Sequence, residues 1–101
     1  MYDMENLKNL AKMDALAPDA MKAFWAFDKA ALAEGALPVK IKELIAVAVA
    51  HTTQCPYCLA IHVKGARKAG ASDAEIAEAA IVAASLRAGA AIVHATHIFD
   101  K

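Results

Sequence analysis

Apolar residues recur along this chain at helical spacing and almost nowhere alternate as a strand requires. From Asp3 to about Met13, the positions Met4, Leu7, Leu10 and Ala11 trace a weak amphipathic stripe. Pro18, well suited to a first turn, opens a second helix that passes through Met21, Phe24, Trp25 and Leu32 toward Gly35. A third begins near Pro38 and continues to about Thr52. Its stretch from Leu44 to Ala50 is apolar on nearly all sides, which marks it as the central helix. A fourth starts at Pro56, with Cys55 near its N-cap, and ends around Gly70. Ser72-Asp73-Ala74-Glu75 has the form of a capping box that opens a fifth helix to about Leu86, and Gly89 is expected to break it before a last segment to Phe99. The pattern predicts a small all-α domain occupying residues 1–101, with about five to six helices and short connections.

Composition adds one qualification. The chain is 59% hydrophobic, high for a small domain, but about a quarter of its positions are alanine, which buries little area. The excess still points to faces buried against other subunits, so a homo-oligomer (dimer, trimer or hexamer) is expected. Eleven basic and eleven acidic side chains cancel, and the only basic group is Lys64, Arg67 and Lys68. No nucleic-acid footprint is visible. Met1-Tyr2-Asp3-Met4-Glu5 carries acid where a signal peptide needs positive charge, so a cytoplasmic location is expected. Leu44 to Val63 lacks any Asp, Glu, Lys or Arg, but His51-Thr52-Thr53-Gln54-Cys55-Pro56 interrupts it with polar groups and a proline. A buried helix pair is expected there rather than a membrane span.

The chemistry concentrates within twenty residues. Glu43 opens the apolar helical run, Cys55-Pro56-Tyr57-Cys58 follows twelve positions later, and His62 lies four beyond the second cysteine. At about 100° per residue, Cys55, Cys58 and His62 would fall within roughly 60° of one helix face. Thiolate is the reactive form of cysteine, and an imidazole or a helix N-terminus lowers a thiol's pKa toward working pH. Cys55, at the helix start, feels the dipole, whereas Cys58 has His62 one turn away. In a reducing compartment a lone CxxC reads as catalytic, redox-sensing or metal-binding rather than as a structural disulfide. Zinc would need a fourth ligand from His94 or His97, so no metal is assigned. His51 reads as a helix-end hydrogen-bonding residue, and Phe24, Trp25 and Phe27 as core or subunit contacts.

Glu43, Cys55-x-x-Cys58 and His62, at the end of one alanine-rich helix and the start of the next, resemble the alkylhydroperoxidase D and carboxymuconolactone decarboxylase family. The likeness extends from about Phe24 to Ala95 and includes Lys42-Glu43-Leu44 and the Gly-Ala-Ser-Asp turn at Gly70 to Asp73. It implies an all-helical fold assembled as dimers, often as rings of them. It also implies a thiol-dependent peroxidase that reduces hydroperoxides in antioxidant defence, with Cys58 as peroxidatic thiol, Cys55 as resolving thiol, His62 as proton acceptor and Glu43 as proton relay. No cofactor is implied beyond the redox-active Cys55–Cys58 disulfide. The reductant would be an external dithiol, of lipoyl type or from a peroxiredoxin partner.

Two departures from the pattern stand out: Tyr57 occupies a position held by histidine in the best-known peroxidase member, and the second helical copy of that member has no counterpart here. A decarboxylase-like enzyme acting through His62 without the cysteines, and a non-enzymatic redox sensor or adaptor, are the alternatives. Cys55-Pro56-Tyr57-Cys58 also resembles the glutaredoxin string, but that fold needs a β-strand before the site, and the residues here are helical in pattern.

Overall fold

A computed structural model of the chain describes residues 2–99. A 3-10 segment, Met4–Asn9, leads directly into α1 (Leu10–Leu16), followed by α2 (Pro18–Leu32), α3 (Val39–Thr53), α4 (Pro56–Lys68), α5 (Asp73–His94) and a closing 3-10 turn, Ala95–Phe99. No strand occurs among the described residues, and the chain is all-α. The first stripe is thus not one α-helix: Asp3 caps a tight 3-10 segment by accepting from the Glu5 amide, and the α-helical register begins only at Leu10.

Local chemistry explains the boundaries. Pro18 and Pro56 both sit at the first position of their helices, where a missing N–H costs nothing. Ser72 and Glu75 form the expected capping box reciprocally, satisfying two helix-end donors for about 1 kcal/mol. Gly70, at φ 96°, supplies the left-handed turn that ends α4, a geometry a Cβ would oppose. The expected break at Gly89 does not occur. α5 continues through it to His94, because one glycine costs a helix only about 1 kcal/mol and the apolar run on both sides carries the helix across.

α3 is central, as its all-round apolar pattern predicts, and packs against both α4 and α5. The core is small. Val47 and Ala66 are fully buried, joined by Ala71 and by partly buried Leu44, Leu59, Val63 and Ile76. Burying Val47 contributes about 1.5–3 kcal/mol. α1 and α2 pair with each other, held by a hydrogen bond of 2.7 Å from Trp25 Nε1 to Asp14 Oδ1. Lys40 on α3 and Glu75 on α5 form an ion pair of 2.9 Å that joins the starts of the two helices.

This packing leaves much surface uncovered. The radius of gyration is 16.8 Å, against about 13 Å for a compact domain of this length. Accessible surface is 7600 Å², whereas a monomer of 10.6 kDa ordinarily exposes about 5,500 Å². The excess, about 2,000 Å², is of the order that a stable dimer interface buries. α5 carries much of it: Ala83 is its only fully buried residue, while Ile81, Val82, Leu86, Ile92 and Val93 are exposed. The segment 73–99 is also the one helical stretch among the described residues long and apolar enough to cross a membrane.

The uncovered face predicts association between copies of the chain. Light scattering at tens of micromolar protein should give at least a dimer, and Leu86→Asp should shift it toward monomer. A folded wild-type monomer, or partition of the protein into lipid vesicles, would contradict this reading.

Candidate functional site

The site is built where α3 turns into α4. Gln54 ends α3 in the left-handed conformation (φ 55°), unusual for a residue with a Cβ, and the chain reverses in two residues. The Cys55 amide donates back to the Ala50 carbonyl at 3.1 Å, which holds the reversal closed. Arg87 of α5 donates to the Thr52 carbonyl and so places a cation at the C-terminal end of α3, where the helix dipole favours it.

Cys55 is the N-cap of α4, with extended backbone, and its sulfur accepts the Cys58 amide at 3.1 Å. This geometry alters the expected shared face. Because Cys55 lies just outside the helix and folds its side chain back to cap it, the 100° rule does not apply to it. Cys58 and His62 line one groove, while Cys55 lines a separate recess with His51, Pro56 and Leu59. Both cysteines are free thiols and partly exposed.

The two thiols ionise differently. Cys55 is lowered from the ordinary 9.0, first by the hydrogen bond from the Cys58 side chain and then by the Cys58 amide. Cys58 is raised, first by that same bond, in which it is the donor, then by burial and by the negative charge of Cys55. The first negative charge of the pair therefore rests on Cys55, the thiol at the positive end of the helix.

His62 meets Glu43 across the α3–α4 contact, although nineteen positions separate them. His62 Nδ1 and Glu43 Oε2 are 2.8 Å apart, and both side chains are largely covered. A carboxylate accepts, so Nδ1 carries the proton in this contact, and in a neutral ring Nε2 is left bare as an acceptor. Sequence reasoning missed the residue that makes room for it. A Cβ on Gly65 would come within 2.7 Å of Glu43 Oε2 and 2.8 Å of its Cδ. Any other residue there would push the carboxylate off the imidazole. The available signal was a glycine inside an otherwise helical pattern, three positions after His62.

The groove beside Cys58 has a volume of about 480 Å³. Its apolar wall is Leu7, Leu10, Phe24, Trp25 and Ile61, so the aromatic pair, expected as core or subunit contacts, is not core in the single chain but lines an opening. Phe24 and Trp25 meet edge to face at 5.0 Å. Tyr57 also reaches the groove, where its hydroxyl accepts from Asn6 Nδ2 at 3.1 Å. His51 donates from Nδ1 to the Val47 carbonyl at 2.8 Å, as a helix-end histidine should. His94 and His97 meet edge to face at 5.0 Å, near the C-terminal end of the described residues, and line neither of the pockets that the thiols line. Among the described residues, no three side chains of metal-ligating type converge.

Residues 18–101 match the carboxymuconolactone decarboxylase family. The chain belongs to that family. Among its relatives, an uncharacterized protein of the cox locus in Paracoccus denitrificans is 59% identical over 73 residues, covering 72% of this chain and 66% of that protein. The chain thus spans just under two thirds of that relative's length. An uncharacterized protein of Cupriavidus necator is 35% identical over 79 residues, covering 78% of this chain and 70% of that one. A crystal structure from Methanobacterium thermoautotrophicum superposes with a TM-score of 0.80 at 39% identity, over 84% of this chain and 96% of the other. The apo form of a carboxymuconolactone decarboxylase family protein from Legionella pneumophila gives 0.76 at 35% identity, over 81% and 73%. The family match begins at the first residue of α2, so Asn6, Leu7 and Leu10 of the groove lie outside it.

Two outcomes follow from this geometry. Gly65→Ala should abolish the hydrogen-bonded His62 Nδ1–H resonance in proton NMR, and Glu43→Gln should do the same by weakening its acceptor, with helical content retained in both. For the thiols, Cys58→Ala removes a donor to Cys55 and should raise its ionisation toward 9.0. Cys55→Ala should lower that of Cys58. The pH dependence of thiolate ultraviolet absorbance in each variant reads both directions.

Proposed function

We propose that this carboxymuconolactone decarboxylase family member is a thiol peroxidase, reducing hydroperoxides through Cys58 and Cys55. The observation that carries the reading is that Cys58 and His62 line one groove while Glu43 holds Nδ1 of His62. A nucleophile, a base and an orienting carboxylate are the parts that activated-nucleophile chemistry needs.

His62 takes the proton of Cys58, whose raised thiol requires such a base. The Cys58 thiolate attacks the terminal peroxide oxygen, the O–O bond breaks, and the alkoxide leaves as alcohol with the proton His62 returns. Cys58 is then a sulfenic acid. Cys55, the more readily ionised thiol, attacks that sulfur and expels hydroxide, which departs as water with the proton Cys55 has given up. Two thiols and one hydroperoxide thus become a disulfide, an alcohol and water. An external dithiol, of lipoyl type or from a peroxiredoxin partner in the reducing cytoplasm, restores the pair by exchange. The unequal ionisation suits the division of labour, since the resolving thiol must be a ready nucleophile the moment the sulfenic acid forms.

One equivalent of cumene hydroperoxide should remove both thiols of the reduced protein. Cys55→Ser should stop at a trappable sulfenic acid on Cys58, and Cys58→Ser should react at least about 100-fold more slowly. His62→Ala should slow the first step by about 100-fold. Sulfenic acid forming on Cys55 in Cys58→Ser at the wild-type rate would reverse the two roles. Lactone decarboxylation that survives loss of both cysteines would replace the reading altogether.

A further inference from the structure

Each sulfur of the pair has an opening and a histidine of its own. Among the described residues, the groove wall includes Cys58 and His62 but not Cys55, and the recess wall includes Cys55 and His51 but not Cys58. The two rings are held alike. His62 gives its Nδ1 proton to Glu43 Oε2 at 2.8 Å and His51 gives its own to the Val47 carbonyl at 2.8 Å, so in both neutral rings Nε2 is the acceptor. The proposed turnover uses the groove and His62 for the peroxide and leaves the recess and His51 without a task. The recess has a volume of about 340 Å³, at the lower end of small-molecule sites, which run from about 300 to 1,000 Å³. Ala50, Pro56 and Leu59 make it apolar, and among the described residues no Asp, Glu, Lys or Arg lines it.

Disulfide exchange supplies the task. An incoming sulfur approaches a disulfide sulfur from the side opposite the one it expels, so an attack on Cys55 comes from the side away from Cys58. We infer that the recess admits the reductant, a small uncharged aliphatic dithiol, which attacks Cys55 there while His51 Nε2 takes its proton. The inference rests on the proposed turnover, in which the Cys55–Cys58 disulfide is the form to be reduced. The first thiol forms a bond to Cys55 Sγ, the Cys55–Cys58 bond breaks, and Cys58 leaves with a proton drawn from solvent through His62. His51 passes its proton to solvent and takes that of the second thiol, which attacks the reductant sulfur held on Cys55. That bond breaks and Cys55 leaves as a thiolate, a role that its lowered ionisation suits. The dithiol has become a cyclic disulfide, and its two electrons have passed to the cysteine pair. Peroxide and dithiol thus reach the pair through different openings.

The test starts from protein oxidised to the disulfide with diamide, so that no peroxide is involved. Dihydrolipoamide and dihydrolipoic acid carry the same thiols and differ by one carboxylate. At low ionic strength Gln54→Glu, which sets a charge in the recess wall, should lower the reduction rate constant of the acid relative to the amide by about threefold. Gln54→Lys should raise that ratio by about as much, and effects on Cys55 itself cancel in it. His51→Gln should slow reduction by the amide by about 100-fold at pH 7, with helical content retained. With 2-mercaptoethanol as the thiol, an early quench in acid and capping by N-ethylmaleimide should leave the mercaptoethanol adduct on Cys55 and the maleimide on Cys58. Asp28→Lys is the matching charge probe of the groove. An acid-to-amide ratio that follows Asp28→Lys and ignores Gln54, an adduct on Cys58, an unaltered rate in His51→Gln, or a disulfide that the amide does not reduce would overturn this inference and leave the peroxidase reading standing. If cumene hydroperoxide fails to oxidise the reduced protein while the diamide-made disulfide is still reduced through Cys55, the peroxidase reading falls and the recess stands as the entry for the dithiol.

Discussion

The close approach of α3 and α4 is the constraint on which the rest of the structure depends. It is possible because the facing surfaces are small: Ala50 and Ala66 are buried, and Gly65 leaves room for a carboxylate where a methyl group would clash. Into that space Glu43 delivers the acceptor that holds His62 Nδ1 at 2.8 Å. The bond fixes the ring's tautomer and orientation at once, as a second group behind a histidine does in many sites. The same approach brings the C-terminal end of α3 against the N-terminal end of α4, so that the thiol pair sits at a helix start. Arg87 secures the junction from α5 through the Thr52 carbonyl.

At that junction two neighbouring cysteines become chemically unlike. Cys55 gives up helical geometry to act as a cap, and in exchange its sulfur receives the Cys58 amide and side chain as donors. Cys58 stays in the helix, donates, and is partly buried beside an apolar groove. The difference needs no charged residue nearby. It follows first from the Cys58 thiol donating to the Cys55 sulfur and then from the Cys58 amide, which reaches Cys55 because that sulfur stands outside the first turn.

The same economy of side-chain size leaves much apolar surface uncovered in the single chain. Alanines let helices approach closely but bury little area each, and the fully buried core amounts to a handful of residues around Val47. The larger apolar side chains point outward, Ile81 at 67% and Ile92 at 71% exposure among them. An elongated chain with so little core would gain stability from a partner over α5, and a second copy would offer a matching apolar face without any further sequence requirement.

Much of this was legible beforehand, because helical periodicity, proline at first turns and the Ser72–Glu75 capping box are local signals that act within a few residues. The motif Glu43, Cys55, Cys58 and His62 was legible too, since each residue's chemistry is intrinsic and the spacing on α4 is short. Three features were settled only by the tertiary structure. The side on which Cys55 emerges depends on a cap and a left-handed Gln54, not on helical phase. The pairing of Glu43 with His62 needs the space over Gly65, a vacancy that a one-dimensional pattern does not display. The groove needs the N-terminal segment to fold back onto Tyr57, a long-range contact between Asn6 and a residue fifty-one positions away. Sequence by itself determined most of the helices, though not the 3-10 start or the unbroken α5, and the candidate reactive groups, all of which rest on short-range forces. Which groups face one another was decided by packing, because that depends on the volumes of side chains distant along the chain.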